Sequence, residues 1–82
     1  MVSYDEILTG LYEILQTFTR GPVALGEDTE LVSDLGLDSL KIMDLLLRIE
    51  DRFDVSVPLN VLPDVRTVRD LALQLEQLIG QS

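Results

Sequence analysis

Few side chains in this sequence can do chemistry. It has no cysteine, and so no thiolate nucleophile, disulfide or soft metal site, and no histidine to act as acid or base near neutral pH. Carboxylates and hydroxyls remain, and one hydroxyl stands apart by its setting. Ser39 lies in Gly36-Leu37-Asp38-Ser39-Leu40, where a glycine-containing loop runs into a strongly apolar helical pattern. A serine in the first turn of a helix has a rigid backbone and an outward hydroxyl within reach of a second protein. The unpaired N–H groups and positive dipole end at such a helix start favour a phosphate there. Asp38 can cap the same helix. Asp-Ser-Leu is equally an ordinary helix beginning, so the tripeptide alone does not separate a modified serine from a plain one.

The elements that position Ser39 are legible as helices. Eighty-two residues are too few for two cores, so 1–82 is read as one domain. Ser3-Tyr4-Asp5-Glu6 is a capping box, followed by an apolar face of Ile7, Leu8, Leu11, Ile14, Leu15 and Phe18, with Gly21-Pro22 as the stop. Residues 21–38 form a long loop with three glycines, one proline and five acids. Val23, Leu25, Leu31, Leu35 and Leu37 are spaced to dip into the core, which predicts an ordered loop. The second helix runs from about Ser39 to Arg52, with Ile42, Leu45, Leu46, Ile49 and Phe53 on the core side. Leu40, Met43 and Leu47 lie away from that side, interleaved with Asp44 and Asp51. So small a chain offers few neighbours for a second apolar stripe, which points to a partner. Pro58 and Pro63 bracket a brief helical turn. Thr67-Val68-Arg69-Asp70 opens a last helix with aspartate in the capping-box place of glutamate. Leu71, Leu75 and Leu78 continue it, flanked by Val68, Ala72 and Ile79, and Gly80 is the expected close. The expected class is all-α, three main helices and one short one in a bundle.

Fifteen acidic residues against six basic ones give a net charge of −9. That balance repels nucleic acid and anionic membrane and favours partners with basic surfaces. No apolar run approaches 18 residues, and the N-terminus lacks a basic region before an apolar stretch, so a cytoplasmic protein is expected. Glu27, Asp28, Glu30, Asp34 and Asp38 lack the spacing of a calcium loop, and no metal site beyond weak surface binding is expected. Nothing pairs the carboxylates with a nucleophile or pocket, which argues against an enzyme.

The run from Thr29 through Asp34-Leu35-Gly36-Leu37-Asp38-Ser39-Leu40 resembles the attachment site of acyl and peptidyl carrier proteins. The amphipathic helix ending in Glu50-Asp51-Arg52-Phe53 and the start Thr67-Val68-Arg69-Asp70-Leu71 are similar to that family as well, so the resemblance spans residues 5 to 79. It implies the four-helix carrier bundle, with Ser39 bearing a 4′-phosphopantetheine arm transferred from coenzyme A by a phosphopantetheinyl transferase. The protein would then be a monomeric covalent shuttle for acyl or aminoacyl thioesters. Its second helix would dock on loading and condensing enzymes with basic patches, through Asp38, Leu40, Met43, Asp44, Leu47 and Asp51. Lys41, Arg48 and the apolar Pro58–Pro63 stretch depart from the pattern of fatty-acid carriers. They favour a specialised route, of polyketide, lipopeptide or aminoacyl type, over housekeeping fatty-acid synthesis. Met1 and the short flanks favour a discrete protein. The alternative is a small acidic helical interaction module with no prosthetic group, in which Ser39 merely begins a helix.

Overall fold

The computed structural model describes residues 3–19, 24–58 and 65–81. These contain three helices, α1 (Tyr4–Gln16), α2 (Ser39–Phe53) and α3 (Val68–Gln81), and the fold is all-α. The short helix expected between Pro58 and Pro63 falls on residues outside the described ones, as do Gly21-Pro22 and Val23.

Each helix starts where its capping residue dictates. Ser3 Oγ accepts from the Glu6 N–H at 3.3 Å. Thr67 Oγ1 accepts from the Asp70 N–H at 3.2 Å, and Asp70 Oδ2 accepts from the N–H groups of Thr67 and Arg66, both at 3.1 Å. Aspartate therefore closes the box in full. The same backbone bonds, from Thr67 and then Arg66, hold the Asp70 carboxyl below its usual range.

α1 packs against both other helices. Ile7, Leu11 and Leu15 meet Leu45, Leu46 and Ile49 of α2 and Val68, Leu71, Ala72 and Leu75 of α3 in one buried cluster. Ile42, Phe53, Leu78 and Ile79, all expected inside, are half-buried at its margin. Phe53 closes one end by lying on α1 at Gly10, where a Cβ would come within 2.6 Å of Phe53 Cζ. Glycine in a helix interior costs about 1 kcal/mol relative to alanine. Here it makes room for the ring.

Two helix ends differ from expectation. α1 stops at Gln16, and Thr17 and Phe18 turn away with N–H bonds of 3.0 Å to the carbonyls of Ile14 and Leu15. Thr17 Oγ1 also donates to the Ile14 carbonyl at 2.6 Å, a local bond that competes with helix continuation. Thr17-Phe18-Thr19 is moreover a run of weak helix formers. Phe18 still rests against the core, from outside the helix. At the other end, α3 runs through Gly80 to Gln81. A glycine ends a helix by taking a left-handed φ, and Gly80 does not.

The described part of the long loop is pinned as expected, by buried Leu31 and Leu37 and half-buried Leu25 and Leu35. It is also stitched to the start of α3. The N–H groups of Val68 and Arg69 donate to the carbonyls of Thr29 (3.0 Å) and Glu27 (2.9 Å), and Leu31 N–H donates to the Arg66 carbonyl (3.0 Å). Helix-start donors that have no partner within their helix are thus satisfied by the loop. Tyr4 of α1 joins the same corner by donating to Glu27 Oε1 at 2.6 Å. That bond, with burial and the Glu27 charge behind it, pushes the Tyr4 hydroxyl up to about 12.

Truncating Leu46 to alanine should cost roughly 2–5 kcal/mol in denaturant unfolding. Leu47→Ala, at a residue 63% exposed, should leave the transition nearly unchanged. Tyr4 and Asp70 act on opposite limbs of the stability–pH curve. Tyr4, raised from 10.0, adds stability that is complete below pH 10 and lost as pH climbs towards 12. Asp70, lowered from 3.8, adds stability present above that pH and lost as pH falls through its folded value. Tyr4→Phe should flatten the alkaline limb and Asp70→Asn the acid limb in melting curves taken across pH.

Candidate functional site

The head of α2 is fixed by what precedes it. Residues 30–37 wind into a tight turn. Asp34 and Leu35 N–H groups donate to the Glu30 carbonyl (3.0 and 3.2 Å), Gly36 N–H to Val32 (2.9 Å) and Leu37 N–H to Leu31 (3.2 Å). Asp34 Oδ2 accepts from the Glu30 N–H at 2.7 Å and holds the turn from outside. Gly36 exits at φ +66°, a left-handed conformation that side chains disfavour. The chain then enters the helix from a buried anchor, because Leu37 is in the core one residue before Asp38.

Asp38 is the N-cap. Its backbone is extended, and its Oδ1 accepts from the Lys41 N–H at 2.9 Å, while its carbonyl accepts from Ile42 at 2.9 Å. Ser39 is the first helical residue and is exposed. Its hydroxyl makes no hydrogen bond among the described residues, and the N–H groups of Ser39 and Leu40 likewise find no acceptor there. Capping and presentation are thus divided between neighbours. Asp38 spends its carboxylate on the helix end, and Ser39 keeps its oxygen and the two adjacent donors open. Ser3, by contrast, is occupied as a cap, and Ser33 and Ser56 lie outside any helix.

The exposed face of α2 continues from this point. Leu40 is 81% exposed, Leu47 63% and Met43 43%. Val32, on the turn before Ser39, is also exposed, and nothing in the sequence pattern singled it out. The charges are arranged less simply than composition suggests. Asp44 pairs with Arg48 at 3.9 Å, whereas Asp51 has no partner among the described residues. Arg48 also donates to Thr17 Oγ1 at 3.1 Å and lies 5.0 Å from the Phe18 ring centroid. It therefore serves the end of α1, where a cation suits the helix dipole. Arg52 pairs with Glu13 of α1 at 2.6 Å. The spacing of Asp44 and Arg48 made their pair readable from sequence, but the approach to Phe18 depends on where α1 ends.

Of the loop acids, Asp38 caps the helix of Ser39 and Asp34 holds the turn, while Glu27, Asp28 and Glu30 are turned to arginines near the start of α3. Glu30 pairs with Arg66 at 3.2 Å and Asp28 with Arg69 at 2.8 Å, with Glu27 3.9 Å from the same arginine. Their role is to clamp the loop onto α3. Among the described residues no group of three or more acidic side chains converges on a possible metal position.

Comparison with known proteins shows the family. The model of the family described as "phosphopantetheine attachment site" matches residues 9–75. An acyl carrier protein of Kineococcus radiotolerans is 35% identical over 81 residues, covering 98% of this chain and all of its own. A meromycolate extension acyl carrier protein of Mycobacterium leprae is 31% identical over 78 residues, covering 94% of this chain and 68% of its own. A solved chain from Mycobacterium tuberculosis, provisionally described as an acyl carrier protein, superposes with a TM-score of 0.79 at 27% identity, over 87% of this chain and 96% of its own. The chain belongs to the phosphopantetheine-binding acyl carrier protein family. Its prosthetic group is covalent 4′-phosphopantetheine, and it is a carrier and not a catalyst, served by a phosphopantetheinyl transferase and used by biosynthetic enzymes. The head of α2 fits that group: an exposed, unbonded hydroxyl beside two open N–H donors suits a phosphodiester.

The division of labour at the helix head has a measurable consequence. Asp38→Ala should cost about 0.5–2 kcal/mol of stability through the lost cap. Ser39→Ala removes no internal bond and should leave the melting transition within error of wild type.

Proposed function

We propose that Ser39 bears the arm and that residues 1–82 act as a single, monomeric carrier domain working in the cytoplasm. The observation that carries this reading is the placement of Ser39, exposed and unbonded at the first position of a helix already capped by its neighbour. When bound, the arm supplies a terminal thiol that holds an acyl or aminoacyl cargo as a thioester. The chain's own residues do the positioning. Leu37 in the core and Asp38 at the cap hold the Ser39 oxygen in one place, and the Ser39 and Leu40 N–H groups face the attached phosphate. Leu40, Met43 and Leu47, with Asp38, Asp44 and Asp51 around them, form the surface on which loading and condensing enzymes dock.

The route is a specialised one, in lipid or polyketide-type synthesis. Several relatives are meromycolate extension carriers by name, and others are plain acyl carrier proteins. The mixed charge of α2 supports the specialised reading. Among the described residues no helix is long and apolar enough to cross a membrane.

Intact-mass analysis after incubation with coenzyme A and a promiscuous phosphopantetheinyl transferase tests the site. Wild type should gain one arm and Ser39→Ala none. An arm on Ser3, Ser33 or Ser56 in that variant would refute the assignment. Met43→Ala and Leu47→Ala should keep the wild-type melting temperature while slowing transfer by partner enzymes.

A further inference from the structure

Five of the basic side chains fall among the described residues, and four of them are arginines, each held by an acid of this chain. Arg48 is paired with Asp44, Arg52 with Glu13, Arg66 with Glu30 and Arg69 with Asp28. Lys41 differs. It is exposed, two residues beyond Ser39, and its ammonium has no ion pair, hydrogen bond or ring contact among the described residues.

Its position on the helix sharpens the contrast. At about 100° per residue, Lys41, Arg48 and Arg52 fall in one line along α2, with Asp44 and Asp51 in a second line beside it. The two arginines lean onto α1 and spend their charge within the fold. Asp44 is likewise engaged, by Arg48. What remains for a partner is a free cation near the arm and a free anion at Asp51, about 15 Å further along the axis at 1.5 Å per residue. Lys41 does not serve the arm's phosphate, because it points about 160° away from Ser39 around the helix.

We propose that Lys41 is a specificity-determining residue on the flank of the docking face, beside the line of Asp44 and Asp51. Partners of this chain set an acidic side chain against Lys41 and a basic one near Asp51, and enzymes whose carrier-binding surface is uniformly basic are disfavoured. This rests on the reading of α2 as the docking helix. A cation at one end and an anion at the other fixes the direction in which a partner can lie along α2, since the reversed orientation sets like charges together.

The test is loading from coenzyme A by a promiscuous phosphopantetheinyl transferase with a basic carrier-binding surface. Wild type, Lys41→Ala and Lys41→Glu are compared at low and high salt. The proposal expects KM to fall in steps from wild type to alanine to glutamate, by about 1.4- to 5-fold for each unit of charge at an exposed site, with kcat unchanged. The steps should vanish in high salt, where the screening length shrinks from about 30 Å at 0.01 M to about 3 Å at 1 M. Equal or rising KM along the series at low salt, with wild type loaded normally, overturns the role of Lys41 and leaves the carrier assignment intact. Failure of wild type to load at all would overturn both.

Discussion

The structure hinges on a few backbone hydrogen bonds between the long loop and the first residues of α3. The opening N–H groups of a helix must find acceptors, and the carbonyls of an irregular loop must find donors. Thr29 and Glu27 meet both needs at Val68 and Arg69, and Leu31 returns a bond to Arg66. Those bonds set the depth at which Leu31 enters the core. The turn that follows then delivers Leu37 to the same core, and Leu37 fixes the head of α2. Ser39 inherits its position from contacts made at the far end of the loop. The ion pairs of Asp28 and Glu30 with Arg69 and Arg66 reinforce this stitching from outside, where exposed pairs add little energy each but restrict the ways the loop can lie.

The net charge of −9 is not concentrated where partners are proposed to bind. Much of the acid is occupied: by Arg66 and Arg69 at Glu30 and Asp28, by Arg52 at Glu13, by backbone N–H groups at Asp34, Asp38 and Asp70, and at Glu50 by the Val57 N–H (3.2 Å). On α2 itself acids and bases run in adjacent lines. The apolar residues Leu40, Met43 and Leu47 are exposed beside those lines. Long-range attraction to basic surfaces comes from the whole molecule, and the choice among them falls to the few unpaired groups on the helix.

The sequence was most legible where the physics is local. Helix starts were readable because a cap needs a particular side chain at a particular spacing, as at Ser3, Asp38 and Thr67 with Asp70. The two faces of α2 were readable from periodicity, and Leu46 and Leu47, about 100° apart, fall one inside the core and one outside it. Ser39 was singled out by a motif, and its geometry follows from being one residue past the cap. Helix ends were less legible because they depend on competition. Thr17 bonds backward to Ile14 where apolar periodicity would have carried the helix on to Phe18, and Gly80 remains helical where a glycine often ends one. The contacts of Arg48 with the end of α1, and the pairing of Asp28 and Glu30 with arginines near the start of α3, could not be read. They depend on which residues the packing of α1, the loop and α3 brings side by side, and no spacing along the chain encodes that.

The contact between Gly10 and Phe53 carries a consequence for how the sequence can vary. An aromatic ring seated against a helix backbone acts as a key in a slot, opposing the sliding of α1 along α2 in a way that interchangeable aliphatic contacts do not. The two positions form one unit of substitution. A larger residue at position 10 would require a smaller or displaced one at 53, and a lost ring at 53 would leave a groove that alanine at 10 could fill while restoring helix propensity. Sequences that keep this arrangement should therefore change at both positions together, or at neither.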